Sequence, residues 1–368
     1  MRTMIAAALV LAAALPARAE KKPEIAEVDV VICIDRSGSM QQVIDTAKRK
    51  VWSIVNDIAK VRPTPQLRIG LIGYGSADRE FKFFDLTDDL DGVYANLMTF
   101  KTDMGGEEWV GAAVEKATKE MSWSRSKEAL RMIFMVGNET AMQGTPERLF
   151  TKTCPEAIKA DIVVNAIYCG KPNADEEQSW RDVARLADGS YTTIDISGGA
   201  VAIATPMDEE MAKLNQELNG TYAAFGREGA RKKDAQKEQD ANAGAAGGAG
   251  VVAERAEAKA SGAYRSSSWD LVDASKEKDF KLEEVAEEEL PAEMRTMTPE
   301  ERKAHIAHLS AERERIQAAI QEKAVARQKF IDEEMKKQGL NQDKSFDEAM
   351  RRMIRTQAAK KGLEMDKE

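Results

Sequence analysis

The apolar positions of this chain change period several times, and each change marks an element. Val28 to Asp35 (VDVVICID) is apolar almost without interruption, the pattern of a strand buried on both faces of a parallel sheet. Met40 to Ala59 switches to three- and four-residue steps through Val43, Ile44, Ala47, Val51, Ile54, Val55 and Ile58, which predicts a helix. Further along, Glu80–Leu86 reads as a short edge strand, and Asp161–Tyr168 and Ser190–Asp195 as strands. Asp88–Phe100, Glu107–Met121 and Pro155–Ala160 read as helices, and Trp52 and Trp180 sit on helical patterns with apolar neighbours, where they serve as core. Strands alternating with helices predict an α/β fold with a doubly wound, mostly parallel sheet.

After Thr205 the pattern changes. Met207–Thr221 predicts one more amphipathic helix, followed by a charged stretch, Arg227–Asp240, and a Gly/Ala run, Ala241–Gly250. That composition predicts a flexible linker within residues 206–262, separating a domain at 20–205 from a helical region at 263–368. Trp269, Leu271 and Val272 mark a piece suited to docking on a folded surface. Thr298-Pro299-Glu300-Glu301 is a helix start, with Thr as N-cap and Pro at the first position. The helix it opens runs to about Lys337, with a narrow apolar stripe that needs a partner. Ser345 to Glu348 opens another helix. Together they predict a coiled-coil-like helical hairpin, a candidate for self-association. His305 and His308 could share a metal with Glu312, but a solvated helix face accounts for them better.

The chemistry lies where the first strand meets the first helix. Asp35-Arg-Ser-Gly-Ser39 is a D-x-S-x-S pattern, which places a carboxylate and two hydroxyls on one loop able to converge on a hard cation. In open α/β sheets ligands bind at such strand ends.

These residues, in this order, resemble the von Willebrand factor type A domain, whose metal-ion-dependent adhesion site carries D-x-S-x-S at the end of its first strand. The resemblance covers about Ala26–Thr205. It reads Leu67–Tyr74 as the second strand, Gly105-Gly106-Glu107-Glu108 as the second metal-binding loop, and Arg131–Glu139 as the fourth strand and its end loop. It implies a fold of that family and an Mg²⁺ or Mn²⁺ site at Asp35, Ser37 and Ser39. Two positions depart from the family. Glu107 stands where the family places a metal-binding Thr, and Val136-Gly137-Asn138 lacks the acid of the family's T-D-G turn. Glu107 or Glu108 is expected to replace the missing charge, and a Glu at 107 could also fill the open coordination position. Loss of the metal, with Ser37 and Ser39 only capping the helix, is the competing reading.

The chain's start predicts export. Arg2, the apolar run Met4–Leu15 and Ala17-Arg18-Ala19 form a signal peptide over residues 1–19, placing the mature protein in the periplasm or outside the cell. No later stretch is long and apolar enough to span a bilayer. Cleavage removes Arg2 and Arg18 and no acid, so the net charge falls from −9 to −11, which argues against nucleic acid as a partner. Three cysteines in an exported chain predict one disulfide, Cys154–Cys169, with Cys33 free in the first strand. The sequence has no P-loop, G-x-S-x-G or H-E-x-x-H, and the first domain has no His, so an enzyme is not expected. Two functions remain: an exported module that binds an acidic side chain of a protein partner through its metal, and a metal-free envelope assembly protein that oligomerises through its C-terminal helices.

Overall fold

The computed structural model describes residues 26–76, 81–103, 105–171, 174–194, 202–339 and 345–365. The expected signal peptide and Asp195 lie outside them. The first part alternates as its pattern requires: β1 (Glu27–Asp35), α1 (Gln41–Ala59), β2 (Val61–Arg62), β3 (Gln66–Tyr74), β4 (Lys82–Thr87), α2 (Leu90–Met98), α3 (Val110–Glu120), β5 (Leu130–Gly137), α4 (Phe150–Lys159), β6 (Val163–Tyr168), α5 (Ala174–Arg185) and β7 (Tyr191–Thr193). Six strands form one sheet in the order β4-β3-β1-β5-β6-β7. All its pairings are parallel except β3 with β4, which is antiparallel at the edge. The chain leaves β1 towards β3 on one side and builds β5, β6 and β7 on the other. The order therefore reverses between β1 and β5, where a doubly wound sheet opens its ligand crevice.

Side chains of β1 alternate between two cores. Val28, Val30, Ile32 and Ile34 join α1 and α2, including Trp52. Val31 and Cys33 join α3, α4 and α5, including Trp180. Both tryptophans are buried core residues, as expected.

The second part is α6 (Asp208–Gly220), α7 (Gly229–Lys259), α8 (Leu271–Ala274), α9 (Pro299–Gln338), α10 (Phe346–Lys360) and β8 (Glu364–Met365), which pairs with β2. Two expectations are corrected here. The stretch read as a flexible linker is helix α7, which packs against α1 and α6. Alanine is the strongest helix former, and Ala243, Ala253, Ala256 and Ala258 are small enough to be buried in close contact with the sheet-side helices. The glycines interrupt the helix only at Gly247 and Gly248, and Gly248 has φ +66° and ψ −157°, a conformation open essentially to glycine alone.

The second correction concerns the hairpin. α9 begins at Thr298 with the expected capping box and ends at Gly339, and α10 begins at Ser345. They do not pair along their lengths. α9 lies on α6, α7 and α8, while α10 packs on α1. Ile316, Ile320 and Ala324 of α9 and Phe346, Met350, Met353 and Ile354 of α10 enter the same hydrophobic core as β1 and α1. Each narrow stripe found its partner within the chain. The segment at 264–274 docks as expected: Trp269 stacks on Tyr222 at 5.5 Å, and Leu271 and Val272 are buried.

The Cys154–Cys169 disulfide is not formed, and all three cysteines are free and buried. α4 begins at Phe150, earlier than its apolar pattern suggested, so Cys154 is mid-helix and faces the α3–α5 core. Cys169 turns to the opposite face and joins the α1 core. The sheet separates the two thiols.

Candidate metal centre at the strand ends

The crevice between β1 and β5 gathers residues from three loops. Asp35, the last residue of β1, is fully buried. Ser37 folds back on it: its backbone N–H donates to Asp35 Oδ1 at 2.7 Å and its hydroxyl to Oδ2 at 2.9 Å. The hydroxyls of Ser37 and Ser39 lie 3.1 Å apart. The three D-x-S-x-S oxygens thus converge as expected.

Of the two candidate glutamates the structure brings in Glu108. It is buried, and its carboxyl lies beside that of Asp35. The backbone N–H of Glu108 donates to the side chain of Gln143, and that of Trp109 to the Gly75 carbonyl at 3.1 Å, which ties the loop to the end of β3. Glu107 points away. It is exposed and accepts from the Trp109 indole at 2.9 Å. Of the two glutamates offered as the compensating acid, Glu108 is therefore the one beside Asp35, and Glu107 is not. Consecutive residues in an extended loop project to opposite sides, and the packing of Trp109 selects which one turns inward.

The missing acid at 137 has a steric cause. A Cβ there would lie 2.5 Å from the Tyr74 hydroxyl and 2.9 Å from the Trp180 ring. That hydroxyl is itself fixed, donating to the Val136 carbonyl at 3.0 Å. The next residue, Asn138, does reach the site, donating to Ser39 Oγ at 2.8 Å. Asn138 and Tyr74 were missed from sequence. Asn138 sits in the turn that lacks the family's acid, and nothing in the sequence pattern fixes which way its amide points.

The electrostatics are those of two carboxyls sharing a dry site. Burial pushes Asp35 above its ordinary range, partly offset by hydrogen bonds from Glu108 and Ser37. Glu108 is pushed up to about 9, first by burial and then by Asp35 beside it. Two polar atoms remain buried without a hydrogen-bond partner, Glu108 Oε1 and Asn138 Oδ1. An all-oxygen set of two carboxylates, two hydroxyls and an amide carbonyl fits a hard divalent cation. Among the described residues no group of three or more His, Cys, Asp or Glu could hold a metal, so the hydroxyls and the amide are needed.

Residues 30–139 match a family model described as the von Willebrand factor type A domain. No curated protein sequence matches the chain. Similar solved structures include a conserved hypothetical protein, BatB, from Bacteroides thetaiotaomicron, with 18% identity over 46% of this chain and 90% of that one, TM-score 0.37. Proximal thread matrix protein 1 from the mussel byssus, solved with a zinc-occupied MIDAS motif, has 16% identity over 47% of this chain and 42% of that one, TM-score 0.38. A von Willebrand factor type A protein from Catenulispora acidiphila has 14% identity over 46% of this chain and 39% of that one, TM-score 0.35. The segment that holds Asp35, Ser37, Ser39, Glu108 and Asn138 is thus the part of the chain that is similar to the von Willebrand factor type A family.

Proposed function

We propose that this chain is an exported protein-binding module that holds Mg²⁺ or Mn²⁺ at Asp35, Ser37, Ser39 and Glu108 and presents it to an acidic side chain of a partner protein. The observation that carries the reading is the buried Asp35–Glu108 pair beside the unpaired Glu108 Oε1 and Asn138 Oδ1. Two carboxyls in a dry crevice cannot both ionise without compensation, and a divalent cation supplies it. The bound cation would draw in a partner's carboxylate, while the loop after β1 and the loop before α3 hold the protein ligands in place. The A-x-A pattern before Glu20 supports export. Among the described residues no helix is long and apolar enough to cross a membrane.

Calorimetric titration of Mg²⁺ and Mn²⁺ into wild type, Asp35→Ala and Glu108→Thr tests the site. Saturable binding by wild type that disappears in Asp35→Ala is expected, and no binding at millimolar metal would overturn it. Glu108→Thr removes one negative charge from the shell, so it should bind metal more weakly yet take an acidic partner more tightly. A pull-down from envelope extract with and without chelator then tests the partner.

A metal-free assembly role is the second reading, and the two Ser37–Asp35 hydrogen bonds favour it, because they satisfy both Asp35 oxygens without a cation. Capture of the same partner in chelator would decide for it.

A further inference from the structure

A charged cavity lies away from the strand ends, where the sheet module meets the C-terminal helices. A cavity of about 420 Å³ is enclosed by α1, α7, α9, α10 and the stretch before α6. Its α7 wall exists because the helix breaks at Gly247–Gly248: Gly247, Ala249, Gly250 and Val251 all line the space. The volume is within the range of small-molecule sites.

Its polar walls are unevenly satisfied. Lys50 bridges Glu254 and Asp347, with Nζ 3.9 Å from Glu254 Oε1 and 3.2 Å from Asp347 Oδ2. Arg327 pairs with Asp208 at 2.7 Å, and Arg351 with Asp57 at 2.6 Å. Each of these ion pairs leaves acceptors over. Glu254 Oε2, Asp347 Oδ1 and Asn56 Oδ1 are buried and have no hydrogen-bond partner. The three residues are 9%, 4% and 5% exposed, and all line the cavity. Every orphan is an acceptor, and a further acid, Glu257, stands in the same wall. Burial raises both Glu254 and Glu257 above the ordinary carboxylate range. Unpaired buried acceptors are costly, and a ligand with N–H donors would satisfy them. A metal ion is a poor fit, since among the described residues no three acids are close enough to share one.

We propose that this cavity binds a small organic cation carrying several N–H donors, a primary ammonium or guanidinium group, held by Glu254, Asp347 and Asn56 between the sheet module and the C-terminal helices. Because α1 supplies Asn56, α7 Glu254 and α10 Asp347, the ligand would join three elements that are far apart in sequence.

The test is calorimetric titration of the whole chain with agmatine, putrescine, a capped Gly-Arg-Gly peptide and Mg²⁺, with thermal unfolding in parallel. Saturable binding of agmatine or putrescine with a raised Tm is expected. It should weaken about tenfold or more in Glu254→Gln and in Asp347→Asn, the loss of one charged hydrogen bond. Both replacements keep side-chain shape, and circular dichroism checks that each variant folds. Asp35→Ala should leave this binding unchanged, which separates it from the strand-end site. Binding of the peptide alone identifies an arginine side chain as the source of the same group. Binding of Mg²⁺ only, no binding by any amine or guanidine at millimolar concentration, or binding unaffected by both variants would overturn the proposal.

Discussion

The Tyr264 hydroxyl donates to Asp91 Oδ2 at 2.6 Å, joining residues 173 positions apart in the chain. Asp91 lies in α2 of the sheet module, and Tyr264 follows α7. Around them Gln236 donates to the same hydroxyl at 3.0 Å, and Arg255, fully buried, reaches Asp91 at 2.8 Å and Asp240 at 2.5 Å. Arg255 also lies over the Trp52 ring at 4.7 Å. A polar cluster this deep is stable only when its members are paired, and here the pairing crosses between the two halves of the chain.

Tyr264→Phe removes the donor and leaves a buried carboxylate oxygen short of a partner. The expected loss of stability is about 1–3 kcal/mol. Urea unfolding followed by both tryptophan fluorescence and far-ultraviolet circular dichroism should show one coincident transition in wild type, because the two halves share a core. Two separated transitions in wild type would show that they unfold independently.

Arg313 makes the second lock. It is buried in α9, pairs with Asp270 at 2.7 Å and Asp273 at 2.8 Å, donates to the Thr221 carbonyl at 2.7 Å and stacks on Tyr222 at 4.0 Å. Arg313→Met leaves Asp270 buried with its main counter-charge gone. The cost should be about 3–5 kcal/mol, and the double variant Arg313→Met/Asp270→Asn should recover part of it. A single variant within 1 kcal/mol of wild type, about the worth of a surface pair, would contradict this account.

The Asp35–Glu108 pair makes the metal-free protein sensitive to pH. The Glu108 carboxyl is raised in the folded state, from 4.5 to about 9, so the folded chain holds this proton where the unfolded chain has released it. Its contribution to stability is complete below pH 4.5 and is lost as the pH rises through 9. In chelator, the difference in urea midpoint between wild type and Glu108→Gln should therefore move against wild type over that window. Saturating Mg²⁺ should reduce the effect, since the cation stabilises the ionised pair. A pH-independent difference would mean that Glu108 ionises normally.

All three thiols should be found free by mass mapping under non-reducing conditions. They should resist alkylation until the protein unfolds. Burial alone raises Cys154 to about 12 and Cys33 higher still, so little thiolate forms at neutral pH. A Cys154–Cys169 bridge would require the two residues to cross the sheet that divides them.

The alternating module was legible in the chain because its causes are local. An uninterrupted apolar run such as Val28–Ile34 is compatible with little except a strand covered on both faces, and the capping signals at Thr298 and Ser345 act within a single turn. The D-x-S-x-S ligands converge for the same reason, since they occupy five consecutive positions. What the tertiary structure alone decided are the choices between near-equal local options. Glu107 and Glu108 differ only in which one the Trp109 packing turns inward. The Gly/Ala run has the composition of a linker, but alanines with a surface to bury against form a helix, and α1 and α6 supply most of that surface. The stripes of α9 and α10 show no partner in the sequence, and the structure sets α10 on α1 and α9 on α6, α7 and α8. Cys154 and Cys169 are 15 residues apart in the chain, yet they face different cores because a helix and a strand end present their side chains by their own geometry.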